Sequence, residues 1–425
     1  MSCEDLEEGE VRDEKTIADR KRNREEIREE EREEVYEEVP KTNGKALQWL
    51  QSRESMISFA KLHAHDFGSV EWSTLFSRLP KLPGSIHTMD VRDFLANFVE
   101  AKLASGELDA RCLSSILYGC CKLEVHVSAE FAKAWMAAAS KCLDAFVPQG
   151  LAISLWALAW LDVAVDTGFV SLWKKASCKN MMDWTDLNLS LALWALSKLG
   201  IRVCSGEEFL EKWKEVAMRK RFKPKEFVKS LCAFATLSLS EELPFCVEWT
   251  SKMTFEKFNS QDLAKTVWSF ATLKAQNFPF LSPWLKSASA CIGSFNARDL
   301  SESICSLANL NIRDIDHFVR PWMKKVQTVI WELSPAEMSM CLWALAKMDF
   351  DTRQDPQFLS TWIEVAKACM KQFSLEDLSN ILYALGAFGF KGSDFVGQVQ
   401  EAVWSLRNTM LPHDAANYRL WIVVA

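Results

Sequence analysis

Leu193-Trp194-Ala195-Leu196-Ser197-Lys198-Leu199 decides the fold, because this stretch is not unique in the chain. Versions of it return with their leading residue at Leu117, Leu155, Leu193, Leu231, Val267, Ile304, Leu342, Leu382 and Leu420. The steps lie between 36 and 40 residues. Clear copies are Leu155-Trp156-Ala157-Leu158-Ala159 and Leu342-Trp343-Ala344-Leu345-Ala346-Lys347-Met348. Self-similarity at this period marks a stacked helical array. Such arrays present long surfaces and rarely carry out chemistry.

A second element follows each copy, with Phe and Trp four residues apart: Phe131/Trp135, Phe169/Trp173, Phe209/Trp213, Phe245/Trp249, Phe280/Trp284, Phe318/Trp322 and Phe358/Trp362. The next copy departs, with Phe395 followed by Val399. An i,i+4 pair lies on one helix face. Each unit therefore reads as helix A, a turn, helix B and a second turn. Gly200, Gly206, Pro244, Pro279, Pro283 and Pro356 punctuate the breaks. One hairpin cannot bury two aromatic faces alone, so neighbours supply the missing wall. The expected fold is all-α: a right-handed α-solenoid superhelix of ~38-residue helix-turn-helix repeats. Most of the 18 Trp are then interhelix packing, with stacking on a ligand as the competing role.

Composition narrows the function. At 49% hydrophobic residues with 15 Gly, the 425-residue chain has ample material for a core. No apolar run approaches the ~18 residues of a membrane span, and the acidic N-terminus is no secretory signal. The 13 Cys are scattered, often in repeat slots such as Cys120, Cys232, Cys305 and Cys341. They read as small buried hydrophobes of a reducing compartment. Cys120-Cys121 and His63-Ala64-His65 lack the further partners of a zinc site, so neither metal nor cofactor is expected. The net charge of −7 is uneven. Residues 1–40 hold 17 acidic and 8 basic side chains, whereas the remainder holds 42 basic and 40 acidic. The array itself is near neutral, which counts mildly against nucleic acid. A basic stripe beside an acidic back remains compatible with it.

The organisation follows. Residues 1–44 form a charged acidic tail, either a lone helix or disordered, that is passive or binds protein partners. Residues 45–100 are a degenerate N-terminal repeat or cap, with a worn helix A around Leu75. Residues 101–425 carry about eight full repeats and a truncated last one. The chain stops at Leu420-Trp421-Ile422-Val423-Val424-Ala425, inside a helix A. An apolar half-repeat is a poor cap, so a fragment or an incomplete gene model is expected.

The repeats resemble the octotricopeptide repeat family, which is related to the repeats of FAST-kinase-like proteins. The signature Leu-Trp-Ala-Leu-Ala-Lys-Leu-Gly, preceded by Asp/Asn-Leu, is matched from Asn188 to Gly200, from Glu337 to Met348 and from Asp377 to Gly386. The resemblance spans about residues 65 to 425. It implies a solenoid that binds single-stranded organellar RNA and acts in RNA processing, stability, splicing or translation. Many members end in a RAP domain; none is visible here, so cleavage is unsupported. The resemblance also implies a chloroplast or mitochondrion. The N-terminus has no transit-peptide character, so either the true start is missing or this copy is not imported, and a cytoplasmic or nuclear home stays open.

Counting helix A from its leading residue as zero, positions −4, 0, +3 and +6 are apolar and form the buried face. Positions −2, +2 and +5 share a different face. The middle one is always small: Gly119, Ala157, Ala195, Ala233, Ser269, Ser306, Ala344, Ala384. The outer two vary. Repeat RNA binders read about one base per unit with two or three side chains while cations track the backbone. On this reading Lys122, Lys198, Lys229, Lys265 and Lys347 hold phosphates, and Ser115, Thr236, Thr272, Asn309 and Asn380 meet base edges. The competing reading is that the small residues only let neighbouring helices approach, with Ile153, Leu191 and Met340 marking −2 as partly buried.

The leading function is sequence-selective binding of single-stranded RNA through helix A. The alternative is a protein-protein interaction scaffold of the same architecture. No enzyme is expected: the 6 His are scattered, and no nucleophile–base set or phosphate loop occurs. Asp262, Asp299 and Asp377 sit at helix starts, where they cap.

Overall fold

The structure is a computed structural model that describes residues 42–408, apart from 86, 314, 351, 353–354 and 391–392. The tract up to residue 41 and the half-repeat around Leu420 lie outside the described residues. The chain divides into two compact units, one ending at Ala145 and one beginning at Phe146. The Leu117 hairpin, which the repeat pattern groups with the later copies, falls in the first. Among the described residues every regular element is helical, giving an all-α solenoid of stacked hairpins.

In the second unit helices A are Pro148–Trp160, Asp186–Lys198, Pro224–Thr236, Ser260–Thr272, Ala297–Asn309, Pro335–Lys347 and Leu375–Ala387. Helices B are Thr167–Asn180, Glu208–Arg219, Leu243–Thr250, Leu281–Cys291, Asp316–Val329, Pro356–Ala368 and Asp394–Asn408. The first unit holds Ser69–Arg78 around Leu75, helix A Ala110–Lys122 and helix B Ala129–Ser140. A helical stretch from Thr88 to Ser105 runs through a π turn at Leu95–Val99.

Local chemistry sets the limits of each helix A. Position −8 supplies the N-cap through Asp109, Thr185, Asn259, Asn296, Ser334 and Ser374, each accepting the backbone N–H three residues on. Where that residue is Val147 or Lys223, Pro148 or Pro224 opens the helix instead. Asp262 and Asp377 answer their caps in capping boxes, as their position at helix starts implied. Every helix A ends alike. Position +7 has positive φ: Glu124, Asp162, Gly200, Ser238, Lys274, Asn311, Asp349 and Gly389. The next N–H returns to the carbonyl of +3, as Ile201 does to Leu196 and Phe350 to Leu345. This is a Schellman closure, and it turns the chain toward helix B.

The helix B indoles are interior. Trp135, Trp173, Trp213, Trp249, Trp284, Trp322 and Trp362 are fully buried. Six donate Nε1–H to the −4 carbonyl of their own helix A: Trp135 to Leu113, Trp173 to Leu151, Trp213 to Leu189, Trp284 to Leu263, Trp322 to Leu300 and Trp362 to Met338, at 2.9–3.3 Å. Trp249, on the short helix B, packs 4.5 Å from the ring of Phe227, the −4 residue itself. Burying an indole of about 200 Å² contributes roughly 5 kcal/mol gross at ~25 cal/mol per Å². The indole bond fixes how helix B lies against helix A.

Within the second unit each helix A packs chiefly on the helices A before and after it. Their starts are tied together: Ser339 donates to Asp377 at 2.7 Å, and Ser260 to Asp299 at 3.0 Å. Helix A thus forms one continuous layer and helix B the other.

Candidate nucleic-acid interface

The outward face of the helix A layer is set by helix geometry and by neighbours. At 100° per residue, positions −6, −2, +1 and +5 fall within about 60° of one another. Neighbouring helices run parallel, so equal positions meet. Lys265 and Glu302, both at −2, pair at 2.6 Å. Lys347 and Asn309, both at +5, are joined at 3.0 Å, with the ammonium donating. In the first unit Ser73 and Ser115, at −2 of their helices, share a hydrogen bond of 3.1 Å. The result in the second unit is a ladder with one rung per hairpin.

The expected face needs one correction. Position +2 is not on it. Ala157, Ala195, Ala233, Ser269, Ser306, Ala344 and Ala384 are all buried. Ser269 Oγ donates to Cys232 Sγ at 3.4 Å, so +2 of one hairpin meets +1 of the hairpin before. In the first unit a Cβ on Gly119 would lie 2.7 Å from the carbonyl oxygen of Phe76. The small residues are there for helix approach. What sequence reasoning missed is +1. Trp156, Trp194, Trp268 and Trp343 are half-buried there and Tyr383 is 48% exposed. The signal was present in the mixture of Trp, Tyr and Cys that fills that slot, although Cys305 there is buried.

The ten predicted residues divide by surroundings. Lys198, Thr236 and Thr272 are exposed at the last position of their helices. Asn309 is exposed and accepts from Lys347, whose Nζ lies 4.6 Å from the Trp343 centroid. Burial pushes the Lys347 ammonium below the usual lysine range. Lys229 is half-buried and is lowered too, by burial first, against the opposing pull of Glu226. Lys265 is held by Glu302 and lies 5.2 Å from the Trp268 centroid. Asn380 is half-buried. Lys122 and Ser115 stand on the first unit, Lys122 over the Tyr118 ring at 5.8 Å. The structure therefore joins Lys198, Lys229, Lys265, Lys347, Thr236, Thr272, Asn309 and Asn380 in one ladder.

Charge on this ladder differs from that of the whole chain. At −6, −2 and +5 the second unit presents Lys198, Lys225, Lys229, Lys265, Arg298 and Lys347 against Glu302 and Glu376. Half-exposed indoles stand between the cations. Rings offer base-stacking faces and ammonium groups offer phosphate contacts. The ladder also carries Cys232 and Cys305 at +1. Its thiols are protonated, with burial pushing Cys305 up to about 12. Among the described residues no cluster of His, Cys, Asp or Glu is placed to hold a metal. No described helix is long and apolar enough to cross a membrane.

Fold and face together define a helical-repeat protein whose repeated helices display one continuous surface. Residues 211–422 match the family described as RNA-editing substrate-binding complex 6 protein. Over that span the chain is similar to an RNA-related helical family, as the repeat signature implied, although the match is not to the octotricopeptide or FAST-kinase-like family itself. No curated protein matches the chain.

Proposed function

We propose that this chain is a non-catalytic repeat protein that binds single-stranded RNA along the helix A ladder of its second unit and serves RNA processing. The observation that carries the reading is the ladder: cations at −6, −2 and +5 flank half-exposed rings at +1, repeated in parallel hairpins. The match to an RNA-editing complex family over most of the same hairpins supports it. Sequence selectivity follows from the variation of −2 and +5 between rungs. Residence in a chloroplast or mitochondrion belongs to the same proposal and rests on the repeat resemblance.

The test is a titration of a labelled random single-stranded RNA pool across salt concentrations. Lys198→Glu, Lys225→Glu and Lys229→Glu combined should weaken binding by on the order of tenfold or more and lower the log–log salt slope by about 2, at ~0.7 per phosphate contact. Lys175→Glu, Lys286→Glu and Lys324→Glu on helices B should do neither. Equal effects from the two sets would remove the ladder from the binding surface. One observation favours a protein-binding scaffold: Ile153, Trp156, Trp160, Leu187, Leu191 and Trp194 make the helix A face of the first two hairpins of this unit largely apolar. Failure of the chain to bind the RNA pool would favour that reading.

A further inference from the structure

Glu302 is an anion set among the cations in the middle of the ladder. It occupies −2 of the Ile304 hairpin. Its Oε1 accepts from Lys265 Nζ at 2.6 Å, across from the preceding helix A, and from Arg298 Nε at 2.9 Å, one turn earlier on its own helix. Its Oε2 is shut off from water and has no hydrogen-bond partner. Leaving a buried acceptor unpaired is unfavourable, and more so for a charged one. A carboxylate serving only to tie two helices together gains nothing from that second oxygen.

The surroundings say what would satisfy it. The Lys265 ammonium that holds Oε1 also lies 5.2 Å from the Trp268 centroid, so carboxylate and indole border the same ammonium. Lys265 and Arg298 are also the cations nearest to any phosphodiester laid on this rung. A phosphate competes with Glu302 for them. As they turn toward it, Oε1 loses both of its donors and the carboxylate is left with two unpaired oxygens. They then need two adjacent N–H donors. Guanine presents such a pair, its ring N1–H and exocyclic amino group, on one edge. Adenine and cytosine set a ring acceptor beside the amino group, and uracil offers one N–H between two carbonyls. Resting on the RNA-binding reading above, we infer that Glu302 is a specificity-determining residue that pairs with the Watson–Crick edge of one unpaired guanine, with that base stacked on Trp268 and its flanking phosphates taking Lys265 and Arg298.

The inference differs from general phosphate binding in what each substitution does. Glu302→Gln keeps the shape and one acceptor for Lys265 but replaces the other oxygen by a donor. The experiment is selection of bound sequences from a random single-stranded RNA pool by the full chain and by E302Q, with thermal unfolding of both as a check on folding. The wild-type motif should contain one required guanine. E302Q should lose the preference at that position alone, with the rest of the motif kept. Placing inosine, which lacks the amino group, at that position should weaken wild-type binding about tenfold and leave E302Q binding within about twofold, as expected for one lost base-edge contact. That arm uses the unaltered protein, so it does not depend on how the variant folds. A wild-type motif with no required guanine, an identical motif in E302Q, or equal inosine penalties would overturn the assignment. Absence of any RNA binding by the wild type would instead remove the RNA reading on which the assignment stands.

Discussion

Position +7 shows how far the array governs its residues. Eight hairpins place it in the left-handed region, yet only Gly200 and Gly389 are glycines there. An L side chain costs about 1–2 kcal/mol in that conformation, less for Asp and Asn. Glycine's greater freedom in the unfolded chain takes back roughly 0.5–1 kcal/mol. Lys274→Gly and Ser238→Gly should each therefore raise stability by about 0.5–1 kcal/mol, and Gly200→Ala should lower it by about 1 kcal/mol. Urea unfolding followed by circular dichroism measures this, and the opposite sign at Lys274 would disprove the account. The sequence revealed Gly200 as a break. It did not reveal Lys274, because the conformation is imposed by the closure between +3 and +8 and by the packing around it, not by the residue at the turn.

At the scale of the element, helix A was legible in its ends and its inner face and misread on its outer face. The acidic residues at −5 and the apolar positions −4, 0 and +3 were readable from the sequence, whereas the N-caps at −8 were not singled out and +6 is only partly enclosed, with Leu123, Leu199 and Leu237 half-buried. Positions +1 and +2 are 100° apart on one helix, and either fits a face centred on −2 and +5. The neighbouring helix A covers +2, and the direction from which a neighbour approaches is a property of the stack. The helix starts also carry a pH signature. Burial, the largest influence, raises the carboxyls of Asp262 and Asp299 above the usual aspartate value of 3.8. The folded chain thus holds these protons more tightly than the unfolded chain. Their contribution is most favourable below 3.8 and is lost as pH rises through the raised folded values. Asp262→Asn with Asp299→Asn keeps acceptors for the caps and removes the titration. Relative to wild type, this variant should gain stability between about pH 4 and pH 7. Parallel curves of urea midpoint against pH would show that neither group titrates in that window.

For the molecule as a whole, nearest-neighbour stacking sets the tolerance to change. Each hairpin of the second unit touches chiefly the ones before and after it, so stability is approximately a sum of repeat and interface terms. Deleting residues 186–223, one full period from the start of one helix A to the residue before the next, joins two compatible faces. That shortened chain should keep its helical circular dichroism and give up about one nucleotide of RNA footprint. Deleting only residues 186–204 leaves a helix B without its helix A and should cost most of the unit's cooperativity. Equal behaviour of the two would contradict modular stacking. The period of 36 to 40 residues made the array readable from the first repeated Leu-Trp. The ladder's charge was hidden by the near-neutral total of the array, because a face is a selection of positions that only the stacking direction defines. Glu302 is legible in the sequence only as one more occupant of the variable −2 position, and its orphaned oxygen exists only in three dimensions.

The two sets of indoles have one more consequence. Those of helix B are buried, most with the same carbonyl acceptor, whereas Trp156, Trp194, Trp268 and Trp343 are partly open to solvent. Their emission therefore divides into a blue, unquenchable population and a red, quenchable one. Excitation at the red edge selects the second together with the exposed Trp49, Trp331 and Trp404, so once those three are replaced by Phe, occupation of the outer helix surface can be followed in unlabelled protein by its own light.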